Sequence, residues 1–211
     1  QDKNTARKYG EIYDGESIKR IIKVNQSPIG KTPRSTVVSY LGIFDEIRML
    51  FSKTSMAKEL KLSPTMFSMN IKGGRCESCQ GTGLQKIELN YLPSAYITCP
   101  ECNGRRYNEK IISVTYRNKT ILDVLETPIA EIIEIFNDTK KVYSVLRCMV
   151  ELGLGYLTLG QMSMSLSGGE AQRIKLAKAL GTLSRGKSLY ILDEPTSGLN
   201  EIDIDRFIKV L

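Results

Sequence analysis

Apolar positions along the 211-residue chain change their period several times, and each change marks an element. Ile18, Ile21, Ile22 and Val24 form a β-branched run with strand character, which delivers Asn25-Gln26-Ser27-Pro28-Ile29-Gly30 to a loop. Phe44, Ile47, Leu50 and Phe51 then recur at helical spacing, so a core helix is predicted from Leu41 to Leu60, ending near Ser63-Pro64. Met66 to Ile71 reads as a short strand. Ile87, Leu89 and Tyr91 alternate with Lys86, Glu88 and Asn90, the mark of a half-buried strand, and Pro93-Ser94 is expected to turn the chain back. Thr120 to Phe136 reads as helix, turn, helix, with Thr127 as N-cap and Pro128 as first helical residue of the second piece. Lys140 to Leu152 is another helix, ended by Gly153 and Gly155, and the apolar run Leu189-Tyr190-Ile191-Leu192 predicts a buried strand.

The chemistry gathers around that last run. Ahead of it stands Leu166-Ser167-Gly168-Gly169-Glu170-Ala171-Gln172-Arg173, in which Ser167 reads as a helix N-cap and Glu170 completes a capping box. Gly168 and Gly169 clear side-chain bulk, so that a phosphate could meet the first backbone N–H groups. Ser-x-x-Glu also starts many helices that bind nothing. The strand tips the balance, because it carries Asp193 and Glu194 to a carboxyl end, where open α/β sheets bind their ligands. One carboxylate there can hold Mg2+ and the other can accept a proton from an attacking water. The two motifs in this order resemble the signature and Walker B motifs of ABC ATPases.

The most specific local signal is the pair of knuckles Cys76-Glu77-Ser78-Cys79 and Cys99-Pro100-Glu101-Cys102, with nineteen residues between them. That spacing suits a four-thiolate zinc site, in which each tight turn presents two sulfurs to a tetrahedral ion. Gly81 and Gly104 follow their knuckles by two residues, where a positive φ is useful. Four thiolates fill the shell, so the zinc is expected to be structural; disulfides are the competing reading. Cys148 sits in an amphipathic segment and reads as a buried apolar residue. Lys72, Arg75, Lys86, Arg105, Arg106 and Lys110, with Tyr91, Tyr96 and Tyr107 among them, could follow a phosphate backbone and touch bases. A solvated ribbon with its tyrosines in the core is the alternative.

Two glycine-lysine stretches imitate a phosphate loop. Gly30-Lys31-Thr32 fails because Asn25 replaces the required first glycine and Pro28 and Pro33 interrupt the loop and the helix. Residues 181–188 fit the letters, yet follow a helix and enter a strand, the reverse of the order that makes an anion nest. Composition adds little to this: 41% hydrophobic and 25% charged residues describe a globular chain, and no apolar run approaches membrane-spanning length, so a cytoplasmic protein is expected. The net charge of +7 is unevenly spread, about +5 over residues 1–70, +4 over 71–119, −3 over 120–165 and +1 over the remainder. The chain starts at Gln1 without an initiator Met and stops inside an apparent helix, which is the look of an excised piece.

With these pieces in order, the chain resembles the second ATPase half of the UvrA family, the ATP-dependent DNA damage-recognition subunits of bacterial nucleotide excision repair. The likeness rests on Asn25 to Ser35, on Lys72-Gly73-Gly74-Arg75-Cys76 with its three later cysteines, on Gly153-Leu154-Gly155-Tyr156, and on Leu166 to Arg173 with Ile191 to Leu199. It implies an α/β fold class, an ABC ATPase core with a helical signature subdomain and an inserted four-Cys zinc ribbon. The expected divisions are 1–70 as core with Q-loop, 71–119 as zinc ribbon and DNA contact, 120–165 as helical signature subdomain, and 166–211 as signature helix and Walker B segment. Carried over residue by residue, Gln26 is the Q-loop glutamine, Ser167, Gly168, Gly169 and Glu170 the signature at ATP, Asp193 the Mg2+ carboxylate and Glu194 the catalytic base. Cys76, Cys79, Cys99 and Cys102 hold Zn2+, and Lys72, Arg75, Arg105 and Arg106 face DNA. The resemblance further implies a homodimer of the parent protein, damaged duplex DNA and a UvrB-type repair partner. It places the phosphate loop before Gln1 and the switch His beyond Leu211, so this piece alone is expected not to assemble a complete ATP site. Asn200 and Lys31 stand where the family usually has His and Arg, which leaves room for a UvrA-like paralogue serving drug self-resistance. The non-enzyme alternative is a DnaJ-type zinc chaperone module, which uses four such repeats where this chain has two knuckles.

Overall fold

The computed structural model describes residues 17–30, 32, 34–89, 92–182, 187–199 and 201–211. The chain opens with β1 (Ile18–Val24), whose bounds coincide with the β-branched run. The single helix expected from Leu41 to Leu60 is instead three: α1 (Val37–Leu41), α2 (Phe44–Ser52) and α3 (Ser55–Glu59). The break before α3 has a local cause, since the Thr54 side chain accepts from the Ala57 N–H at 3.3 Å and starts a new helix. The strand expected from Met66 to Ile71 is also absent: Pro64–Phe67 forms a 3-10 turn with proline at its start, where a missing N–H costs nothing. Phe67, Phe51 and Ile47 are fully buried there.

Next comes the ribbon, an antiparallel hairpin of β2 (Leu84–Leu89) and β3 (Leu92–Thr98), with Lys86 opposite Tyr96 and Leu89 opposite Leu92. Pro93-Ser94 therefore lie within β3, and the chain reverses before them. Among its described side chains the hairpin is not half-buried as the alternation predicts: Leu84, Ile87, Tyr96 and Ile97 are all exposed. Tyr91 and Asn90 lie outside the described residues. A short helix α4 (Glu109–Ile112) and the pair β4 (Thr115–Tyr116) and β5 (Lys119–Thr120) lead to α5 (Ile121–Glu126), α6 (Ile129–Ile132) and α7 (Lys140–Glu151). Thr120 caps α5 with a complete capping box to Asp123, and the second cap falls on Pro128, one residue later than predicted.

The 14-residue α8 (Gly168–Gly181) packs against α7 and β1, burying Ala171, Ile174, Leu176 and Ala177. β6 (Lys187–Leu192) then pairs in parallel with β1, Ile21 opposite Leu189 and Val24 opposite Leu192, before α9 (Glu201–Val210). β6 was expected to be buried, yet Leu189 and Ile191 are 42% and 45% exposed, because among the described residues β1 is its only sheet neighbour. The core is one continuous body of aliphatic and aromatic side chains through α1, α2, α5, α7 and α8, and the four knuckle cysteines form a separate small cluster. No helix among the described residues is long and apolar enough to cross a membrane.

Candidate functional site

The four cysteines come together as their spacing predicts. Cys76, Cys79, Cys99 and Cys102 are all buried, and their sulfurs lie within 4.8 Å of one another. Cys76 Sγ stands 4.0 Å from Cys99 Sγ, and Cys79 Sγ 3.7 Å from Cys102 Sγ. A tetrahedral zinc with bonds near 2.3 Å puts its sulfurs about 3.8 Å apart, whereas a disulfide needs about 2.05 Å, so the geometry fits an ion and not a bridge. Both knuckles turn through left-handed backbone, at Gly81 with φ 81° and at Gly104 with φ 80°. A β-carbon on Gly81 would lie 1.8 Å from the Met69 carbonyl oxygen, so glycine also lets the first knuckle press against the body. The Gly83 N–H donates to Cys79 Sγ at 3.3 Å, and the Cys76 N–H to the Arg106 carbonyl at 2.8 Å. Backbone N–H groups of Cys102 and Glu101 hold the Cys99 thiol down to about 7, while burial pushes Cys102 up to about 12. A bound cation would favour the thiolate form of all four and would release their protons on binding.

The second site lies where β1 and β6 end side by side. Ser167 and Glu170 form the reciprocal cap: the Glu170 N–H donates to Ser167 Oγ at 3.2 Å, and the Ser167 N–H donates to Glu170 Oε2 at 2.7 Å. Burial alone would raise the Glu170 carboxyl, but hydrogen bonds from the Tyr156 hydroxyl and from Ser167 hold it below the ordinary glutamate value. Tyr156 donates to Glu170 Oε1 at 2.5 Å, and its own pKa is raised to about 12 by burial and by that bond. Gly168 is close to Gln26: a β-carbon there would lie 3.3 Å from both its Cβ and its Oε1. One on Gly169 would lie 3.4 Å from the Ser197 carbonyl.

Asp193 and Glu194 are exposed at the end of β6. Glu194 is held in left-handed backbone, φ 44°, directly before Pro195, a conformation that is rare for a non-glycine residue and further disfavoured by the proline. Strain of this kind persists where surrounding structure enforces it, commonly at functional positions. The strand ends are tied together from α8, since Gln172 Nε2 donates to the Asp193 carbonyl at 2.5 Å and to the Val24 carbonyl at 3.3 Å. Lys175 reaches the same loop: its Nζ lies 3.0 Å from the Asn25 carbonyl and 2.7 Å from each of Asn25 Oδ1, the Ser27 carbonyl and Ser27 Oγ.

Gln172, Lys175 and Tyr156 escaped the sequence reading. The signal was present for two of them, because Gly168, Gln172 and Lys175 are spaced i, i+4, i+7 and so share one face of α8. The residues expected at DNA are less free than their charge implies. Arg75 pairs with Glu77 at 3.3 Å, Arg105 with Glu109 at 2.6 Å, and the Arg106 guanidinium turns inward, 3.4 Å from the Gly160 carbonyl. Lys72 is exposed. Tyr107 is buried, donating to the Phe67 carbonyl at 2.9 Å, so of the ribbon tyrosines it belongs to the core; Tyr96 is 66% exposed. Lys187 and Ser188 lie in β6 after a helix, as expected of a chance phosphate-loop match, and Lys31, Pro33 and Asn200 lie outside the described residues. Cys148 is half-buried in α7, and burial raises its thiol.

Comparison with known proteins follows the same pieces. Residues 5–197 match the ABC transporter family. UvrABC system protein A of Halalkalibacterium halodurans is 47% identical over 209 residues, 99% of this chain and 22% of that protein. The proteins of the same name from Staphylococcus aureus and Clostridium perfringens are each 49% identical, over 96% and 99% of this chain and 21% and 22% of their own lengths. The crystal structure of UvrA2 from Deinococcus radiodurans superposes with a TM-score of 0.83 at 48% identity, covering 93% of this chain and 24% of that one. The chain thus spans about a fifth of the length of the curated relatives it matches.

Proposed function

The chain belongs to the ABC transporter family as part of a UvrA-type ATPase, and from that premise we propose that it supplies the signature motif, the Walker B carboxylates and a structural zinc module to an ATP-dependent DNA damage-recognition subunit of nucleotide excision repair. The observation that carries this reading is the convergence on one face of α8: Gly168 against Gln26, and Gln172 across the ends of the two strands that carry Gln26 and Asp193. In this reading Asp193 holds Mg2+, Glu194 accepts the proton of the attacking water, Gln26 orders that water, and Ser167 to Glu170 meet the phosphates of an ATP. Mg2+ supplies charge neutralisation at the phosphates when bound. The parent protein would act as a homodimer, as the likeness to the UvrA family implies, with each ATP buried between one phosphate loop and another signature motif.

The zinc ribbon would be the DNA contact, with Lys72 and Arg105 its accessible cations, and the assembled subunit would load a UvrB-type partner at lesions. The test uses the full-length protein: ATP hydrolysis together with fluorescence anisotropy on an undamaged and a lesion-bearing duplex. Hydrolysis with a preference for the lesion, and retention of the repair partner, agree with the reading. Hydrolysis with equal binding to both duplexes and no partner binding contradicts it and favours the paralogue serving self-resistance.

A further inference from the structure

Lys175 has no counterpart in the roles assigned so far, yet its ammonium is among the most densely coordinated groups described. Four oxygens surround Nζ at 2.7 to 3.0 Å, and all four belong to Asn25 and Ser27, the residues on either side of Gln26. The loop is built to present them. Ser27 Oγ donates to Asn25 Oδ1 at 2.6 Å and the Ser27 N–H donates to the same atom at 3.3 Å, a tight turn with Gln26 at its apex. An ammonium has three protons and no acceptor, so it can grip such an oxygen cluster and hold the flanking carbonyls in place; a neutral side chain cannot.

The N-terminal end of the same helix constrains the Gln26 side chain. A β-carbon on Gly168 would already lie 3.3 Å from Gln26 Cβ and Oε1. Gly168 and Lys175 are seven residues apart on one 14-residue helix, about 10 Å along its axis, so the two contacts move together. Gln172, between them, ties Val24 just before the loop. A displacement of the helix that bears Ser167 to Glu170 must therefore either carry the Gln26 turn with it or break the four oxygen contacts of Lys175.

We infer that Lys175 is a positioning residue, which couples the signature helix to the Gln26 turn and sets that glutamine for ATP hydrolysis. The inference rests on the reading of Gln26 under the proposed function, and the experiment separates the two. In the full-length protein, Lys175→Met removes the ammonium and keeps the bulk of the stem. Lys175→Met should lower kcat about tenfold with nucleotide affinity and zinc content unchanged, because a small misplacement of an ordering group is felt in the chemical step more than in binding. Combined with Gln26→Ala it should be no slower than Gln26→Ala alone, since both changes remove the same contribution. Hydrogen exchange supplies a readout that does not depend on catalysis: peptides covering residues 23–30 should exchange several-fold faster in Lys175→Met, while those of the ribbon stay unchanged.

Unchanged exchange at residues 23–30, unchanged kcat, or multiplicative losses in the double variant would each overturn the inference. If exchange accelerates but Gln26→Ala hydrolyses normally, the Gln26 assignment falls and Lys175 is reduced to a structural brace. Should Lys175→Met fail to fold, Ser27→Ala removes one of the four oxygens from the other side and should shift exchange and kcat in the same direction by a smaller factor; no shift there counts against the coupling.

Discussion

The two sites of this chain are built on opposite plans. The cysteine centre is closed: four buried sulfurs from two turns 23 residues apart, every ligand within one hairpin module, and a knuckle pressed against Met69. The half-site at the ends of β1 and β6 is open: Gln26, Asp193 and Glu194 are exposed, and contacts spanning about 150 residues of sequence hold their backbones in register. A closed site made of local ligands stabilises structure by itself. An open site made of side chains aimed at solvent does its work only when something else completes it, and its cost is visible in the strained backbone of Glu194. The contrast teaches that burial and close approach of four sulfurs mark the proposed metal centre, whereas the proposed nucleotide half-site is marked only by which elements converge.

Removing the metal should have the largest effect. Chelation, or Cys99→Ser, is expected to release one zinc per chain and to unfold residues 74–108 while α5 to α8 keep their protection, because structural zinc in small modules contributes on the order of 10 kcal/mol. Metal analysis with hydrogen exchange reads both; an ordered ribbon after complete chelation would break the contrast.

A paired glycine test comes next. Gly81 and Gly104 share nearly the same φ, yet a β-carbon on Gly104 would only touch Thr98 at 3.5 Å, while one on Gly81 would meet a carbonyl oxygen. Gly81→Ala should therefore cost about 3 kcal/mol and Gly104→Ala about 1 kcal/mol, by denaturant unfolding at saturating zinc. Equal losses would show that the ribbon does not dock on Met69.

Smaller still is Tyr156→Phe, which removes the hydroxyl bonded to Glu170 and should cost about 1 kcal/mol. Here pH sharpens the comparison. Glu170 is held below its unfolded value, so its contribution is present above about pH 4.5, the ordinary glutamate value, and is lost as pH falls through the lowered folded value. In Tyr156→Phe the folded value should move back toward the unfolded one, so the loss should be smaller and complete at higher pH, measurable as the acid limb of a stability profile; an unchanged limb would mean that the hydroxyl does not hold the carboxylate. The least effect is expected from Arg105→Ala. Its exposed pair with Glu109 contributes at most about 1 kcal/mol to folding, whereas affinity for any duplex should fall with the salt slope flattened by about one charge. Unchanged affinity across a salt series would move the DNA surface away from the second knuckle.

How legible each part was in the sequence follows the same division. The β-branched run of β1, the capping box of Ser167 and Glu170 and the two knuckles are local patterns, and each appears where the residues place it. The predicted helix over residues 41–60 failed because periodicity does not register a competing cap: Thr54 accepts from Ala57 and starts its own helix. β6 reads as a buried strand because its residues are apolar, yet burial depends on neighbours that no run of letters specifies. Arg106 and Tyr107 looked like a basic-aromatic pair for nucleic acid and are instead used to seat the ribbon, the one at Gly160 and the other at Phe67. The helix face of Lys175 is legible in its spacing from Gly168, but its partners are not, because they lie 148 and 150 residues away.

The central claim, that the end of β6 is the catalytic edge of a nucleotide half-site, is tested most directly by Glu194→Gln in the full-length protein. The substitution keeps the size of the side chain and removes its capacity to accept a proton, while Asp193 is untouched. ATP binding should persist at wild-type affinity and steady-state hydrolysis should fall by about 100-fold or more. Hydrolysis within a few-fold of the wild type, with ATP bound normally, would contradict the assignment of this edge as catalytic.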